Sequence, residues 1–354
     1  MFPKKLIVSI CILIVTATSH AQIPSSPIPD ADAVKLWEQY KSTFLQPDGR
    51  VVDLRQNGIS HSESQGYGLL NSVLYDDKKT FETVWQWTRN NLQARKDNLL
   101  PWAWGKRNNG QWEIIDYNNA TDGDILVAYA LIKGSIKWQN SDYRNEGLKI
   151  IVGMRKHLPA KWKDKTYLLP AYYGFQRDDR LILNPSYLIV SAYRSFAEVD
   201  DGIFWRKIYN DSFDLIHKSS FGKFKLPPDW ISLTSAGVSI WDEKNPFFGY
   251  EAIRTILYLA WEKNPRFPEG IFEMLKIFEK QGYLPLYVDL QKNTVSLDDA
   301  PAGFYAVYAL AAQKSGLKAV SRNLLNRAFE KANYENNDYY SMTLFLLSLR
   351  AMEK

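Results

Sequence analysis

Apolar residues recur at helical spacing through most of this chain, and no stretch alternates strand and helix signals. Trp205, Ile208, Tyr209, Phe213 and Ile216 share one helical face, as do Phe272, Leu275 and Phe278. The pattern predicts helices over 31–46, 66–76, 79–93, 122–138, 142–157, 185–198, 203–219, 250–263, 268–281, 300–314, 317–331 and 337–352, with almost no strands. A doubly wound sheet needs βα alternation, which is missing. Short links alternate with longer, aromatic-rich ones, so the helices pair into six hairpins. The expectation is an all-α fold, an (α/α)6 barrel whose inner helices point their ends into a cleft. An α-solenoid has a similar helix count but requires a repeat of constant length, and none is visible. No linker or low-complexity tract interrupts residues 22–354, which read as a single domain.

The first 21 residues have the layout of a secretory signal peptide: Lys4 and Lys5, the apolar run "LIVSICILIVTA", then Ser19-His20-Ala21. Cleavage is expected near Ala21, which would deliver the chain to the periplasm or the exterior. The apolar run is short for a membrane span, and Ile10 before Cys11 argues against a lipoprotein. Cys11 is the only cysteine and would leave with this segment, so no disulfide is expected. Burial must then hold the fold, and about 330 residues suffice to hide well over half of the unfolded surface. His61, His157 and His217 lie far apart without cysteines, so no metal or other cofactor is expected. A formal charge of +5 without a dense basic block argues against a nucleic-acid partner.

Aromatic residues make up 14% of the chain, more than a core alone explains where Trp and Tyr fall in polar segments such as "LPWAWGKRNNGQW" and "KLPPDW". Flat rings with polar rims suit sugars, whose faces are C–H rich. Three acidic segments stand at expected helix starts: Glu63 in "SESQGYG", Asp122 and Asp124 in "ATDGD", and Glu251 in "GYEAIR". An acid there serves either as a cap, stabilised by free amides and the macrodipole, or as a reagent. Asp122 and Asp124 cannot both be the best cap of one helix; Asp124 suits the structural task and Asp122 the cleft. Small neighbours such as Gly66 and Gly68 would let a sugar oxygen reach Glu63. Cleaving a glycosidic bond takes two carboxyl groups, one protonating the leaving oxygen and one activating water or attacking.

The segments "SESQGYGLL", "PWAWGK", "NNATDGDILVAYALIKGSIKW", "LNPSYL", "PPDW" and "GYEAIR" occur in the order seen in glycoside hydrolase family 8, and the chain resembles that family over nearly its whole length. The resemblance is nearest to the periplasmic endo-β-1,4-glucanases of bacterial cellulose synthase operons. It implies an (α/α)6 barrel, an inverting mechanism, a β-1,4-glucan substrate trimmed during cellulose production, and association of a monomer with a cellulose synthase complex. By the same resemblance, Glu63 is the general acid and Asp122 holds the sugar in subsite −1. Trp102 is a stacking platform, with Trp104 a weaker candidate. Tyr187 places sugar or water, and Arg254 pairs with a cleft acid. Read from their own segments, Trp230 either lines the cleft or plugs a loop, and Tyr250 either stacks on sugar or staples its helix.

Two departures stand out. Ser64 occupies a position where the family usually has glycine. Glu251 replaces the aspartate that serves as base, and one added methylene moves the carboxylate by about 1 Å, enough to cost on the order of a hundredfold. The base is therefore Glu251, or a loop acid, Asp242 or Glu243, or it is lost, leaving a glucan-binding protein. Xylan, chitosan and mixed-linkage glucan remain alternative substrates.

Overall fold

The structure is a computed structural model that describes residues 30–335 and 337–353. The signal peptide read from the sequence lies outside the described residues.

Twelve α-helices occur among the described residues: α1 Asp30–Phe44, α2 Ser62–Leu74, α3 Lys78–Leu92, α4 Thr121–Lys137, α5 Ser141–His157, α6 Val190–Phe196, α7 Gly202–Lys218, α8 Ile253–Ala260, α9 Gly270–Gln281, α10 Ala302–Lys314, α11 Lys318–Ala332 and α12 Tyr339–Met352. The even-numbered helices form a ring: α2 packs on α4, α4 on α6, α6 on α8, α8 on α10, α10 on α12, and α12 returns to α2. That closure rules out an open solenoid and makes the fold an (α/α)6 barrel. Sequence explains which helices go inside. In α4, α8, α10 and α12 almost every residue is buried, as a helix apolar all round requires. The outer α3, α5 and α11 bury only one face, including Val84 and Trp85 on α3 and Ile150 and Met154 on α5, and leave their charged faces to solvent. Trp85 and Trp87 of α3 are buried in the core.

The helix expectations fail at three informative ends. Helix α2 starts at Ser62, four residues early, because His61 accepts the Ser64 N–H at 3.3 Å while Ser64 Oγ accepts the His61 N–H at 3.1 Å, closing a capping box. Ser64, a departure from the family pattern, thereby helps anchor the turn that carries Glu63. The 185–198 segment splits into a 3-10 turn, Pro185–Tyr187, and the short α6. Residues 249–252 form a turn ahead of α8 rather than its first turn, tied down by Asp229.

Strands are the second correction. The connections contain short antiparallel sheets; the most extensive joins β1 (Ser60–His61), β2 (Pro101–Lys106) and β3 (Trp112–Asn119) in the order β1-β2-β3. Two- to four-residue pairings such as Phe247–Phe248 are too short to display a period of two. Among the described residues, no helix is long and apolar enough to cross a membrane.

Candidate active site

The N-terminal ends of four inner helices, α2, α4, α8 and α12, converge on one cavity of about 330 Å³. Glu63 and Ser62 line it from α2, Asp122 from α4, Arg254 from α8, and Tyr339 and Tyr340 from α12; Trp102 of β2, Tyr187, Tyr250 and Glu251 complete the wall. In the ring order, α2 and α8 stand three places apart, so Glu63 faces Arg254 and Glu251 from the opposite side of the barrel.

Glycines make the α2–α4 part of this wall possible. A Cβ on Gly66 would lie 2.6 Å from Leu126 Cβ, and one on Gly123 would lie 2.1 Å from Ser62 Oγ and 2.8 Å from the Glu63 backbone nitrogen. The small residues beside Glu63 and Asp122 therefore serve helix-to-helix approach, not access for a sugar oxygen as the sequence suggested. Gly123→Ala is expected to cost about 1–3 kcal/mol through overpacking and to displace Glu63, so thermal stability and turnover should fall together. A variant that loses neither would show that α2 and α4 can separate without consequence.

Arg254 is the hub of the site. Its Nη1 donates to Glu63 Oε1 and, at 2.9 Å, to Asp122 Oδ2, while its Nη2 donates to Glu251 Oε2 at 2.7 Å. The Arg254 side chain is 4% exposed, that of Glu63 16% and that of Glu251 35%, so Glu251 keeps the most open face toward the cavity. Burial opposes the charge on Arg254, yet Glu63, Tyr340, Tyr67 and Glu251 hold its pKa well above the ordinary value. Burial also pushes the Asp122 carboxyl well up, and the charge of Glu63 adds to that, with Arg254 opposing. Three carboxylates on one guanidinium form a strongly coupled set, and the bidentate fork of arginine can serve them where lysine could not.

The surroundings fix each member. Tyr67 donates its hydroxyl to Glu63 Oε1 at 3.3 Å and lies 2.9 Å from the Tyr258 hydroxyl; Tyr339 donates to Glu63 Oε2 at 3.4 Å. The Asn184 amide donates to Glu251 Oε2 at 2.6 Å. The Arg254 guanidinium lies 5.4 Å from the Tyr187 ring centroid. Trp102 is held by its indole N–H to Asp116 Oδ2 at 2.7 Å. Tyr250 packs edge-on against Phe304, and its carbonyl accepts the Tyr340 hydroxyl. Asp124 plays the structural part: it accepts the Leu100 N–H at 2.8 Å and the Asn119 amide at 2.7 Å, and burial pushes it up to about 7.

Of the residues picked from sequence, Glu63, Asp122, Glu251, Arg254, Trp102, Tyr187 and Tyr250 meet in this cavity. Trp230 does not line it: its ring is half-buried, stacks on Phe175 at 5.5 Å and sits 6.0 Å from Tyr187. Trp104 packs against Trp87 and Trp112 instead. Asp242 and Glu243 are exposed, paired with Arg180 and Arg177, and also outside the lining. Asp229 accepts the N–H groups of Gly249 at 3.1 Å and Ala252 at 2.8 Å, and burial, then the charge of Glu251, pushes it up to about 7. The sequence reading missed His61, Asn184, Tyr339 and Tyr340. For the tyrosines the signal existed, since "NDYYSM" places aromatics at a helix start as "GYEAIR" does.

A family model for glycosyl hydrolases family 8 matches residues 4–354. The chain is 34% identical over 345 residues to a probable endoglucanase of Novacetimonas hansenii, covering 94% of this chain and 96% of that protein. Among solved structures, endoglucanase Cel10 of Klebsiella pneumoniae, a family 8 glycosyl hydrolase, superposes with a TM-score of 0.79 at 30% identity, covering 90% of this chain and 99% of that one. The endo-β-1,4-glucanase CMCax of Acetobacter xylinum gives 0.79 at 31% identity, with 90% and 97% covered.

Proposed function

The chain belongs to glycosyl hydrolases family 8, and from that premise we propose that it is an inverting endo-β-1,4-glucanase acting on cellulose-type glucan. One observation carries the reading: Glu63 and Glu251 enter a single cavity from opposite walls of the inner ring, each on a different nitrogen of Arg254. Glu63 is the acid that protonates the glycosidic oxygen. Glu251, with its more open face, is the base that takes a proton from the attacking water. Inversion needs carboxyls on both sides of the scissile bond, separated widely enough to admit that water. Asp122, held by Arg254, positions the sugar that is cleaved. Trp102 and Tyr250 offer ring faces to neighbouring sugars, and Tyr187 steers the sugar or the water. The endo-β-1,4-glucanase named among the similar structures supports the choice of substrate. An exported protein that trims glucan beside a cellulose synthase complex, as a monomer, fits the same reading.

The test is hydrolysis of soluble carboxymethyl cellulose. Viscosity should fall before reducing ends accumulate, and proton NMR should show the α-anomer first, because inversion of a β-bond yields it. A β-anomer overturns inversion. Folded protein that releases nothing from cellulose overturns the activity; release from xylan or chitosan alone overturns the substrate.

A further inference from the structure

We propose that Asn184 is a positioning residue that orients the Glu251 carboxylate; this rests on the reading of Glu251 as the base. A glutamate has three rotatable side-chain bonds, and a third of the Glu251 side chain is exposed, so its orientation must be imposed by neighbours. Arg254 supplies one contact, and it is shared with Glu63 and Asp122. Asn184 supplies the other, at 2.6 Å to the same oxygen.

The direction of the Asn184 amide is fixed by its far side. Its Oδ1 accepts both the Ser186 N–H at 2.9 Å and the Ser186 hydroxyl at 2.7 Å, which caps the Pro185–Tyr187 turn. With the oxygen so engaged, only the NH₂ can face Glu251. The side chain is fully buried, so this donor has no water to exchange with. One residue thereby couples the turn carrying Tyr187 to the carboxylate across from it.

The charged and titratable groups around Glu251 make that donor consequential. Arg254 on α8 is the cation and Asp122 on α4, Glu63 on α2 and Asp229 are the neighbouring acids, while burial keeps the hydroxyls of Tyr187 and of Tyr340 on α12 neutral. A neutral donor at 2.6 Å holds the Glu251 oxygen in place without adding to the crowd of charges.

Asn184→Asp separates the two duties, since aspartate still caps the turn but faces Glu251 with a carboxylate. Its kcat on soluble glucan should fall about tenfold to a hundredfold near neutral pH with KM little changed. The acid limb of its kcat/KM profile, which reports the base in free enzyme, should move up by about one pH unit or more. Asn184→Ser keeps a capping hydroxyl, is too short to donate to Glu251, and should move the limb the same way; it serves if the aspartate variant does not fold. Wild-type kcat and an unmoved limb in a folded variant overturn the proposal. Glu251→Gln is run alongside: if it retains activity, the base reading fails and the Asn184 proposal with it. Inactivity there together with an unmoved limb in Asn184→Asp and Asn184→Ser sinks the Asn184 proposal alone.

Discussion

Glu63→Gln is expected to lower kcat on soluble β-1,4-glucan by about 10²–10⁴-fold while leaving the protein folded. That range is the usual contribution of a general acid or base, and glutamine preserves the shape that Tyr67, Tyr339 and Arg254 hold. Because the amide cannot donate a proton to the leaving oxygen, substrates with good leaving groups should suffer far less than the polymer. Glu251→Gln should lose a similar factor, and there an external nucleophile such as azide should restore part of the turnover. Undiminished kcat in either variant would remove that residue from the chemistry. For Glu251 the search would not pass easily to Asp242 or Glu243, which are exposed and engaged with arginines outside the cavity.

Arg254→Met is expected to have the largest effect on stability. The guanidinium serves Glu63, Asp122 and Glu251 at once, and Asp122 is fully buried. Removing one partner of a buried ion pair typically costs about 3–5 kcal/mol, because the remaining charge is left uncompensated. The loss should depend on pH with a definite sign. Asp122 already has a folded-state pKa raised above its unfolded value by burial and by Glu63, and the opposing influence of Arg254 disappears in the variant. A carboxyl raised in the folded state loses stability as pH climbs from its unfolded pKa through its folded one. The melting-temperature deficit of Arg254→Met should therefore be small near pH 4 and widen toward pH 8. An equal deficit at both ends would mean that the three carboxylates find another way to be neutralised. Activity should drop by on the order of a hundredfold or more, since acid and base both lose their alignment.

Much of the architecture was legible because helical periodicity is a local property. Each of the twelve expected helices has a counterpart in the structure. The division between Asp122 and Asp124 holds, but not through capping: α4 starts after Ala120 without a side-chain cap, and Asp124 ties down Leu100 and Asn119 instead. Where the reading failed, a distant partner decided. Gly66 and Gly68 looked like room for a sugar oxygen beside Glu63, yet within α2 it is Leu126 on one side and Val51 with Val84 on the other that approach them closely. Trp230 could have lined the cleft or plugged a loop, and its ring stacks on Phe175 outside the cavity lining. Tyr339 and Tyr340 reach the Glu63 site from 276 and more residues away in sequence.

The sequence by itself determined which segments are helical, which of them are apolar enough to go inside, and which acids and aromatics stand at their starts. These follow from side-chain spacing along one turn of chain. Only the tertiary structure decided that the ring closes, that Arg254 gathers three carboxylates, and that Asn184 has one face left for Glu251. Those outcomes depend on distances between residues far apart in the chain, and the packing of inner helix against inner helix sets them.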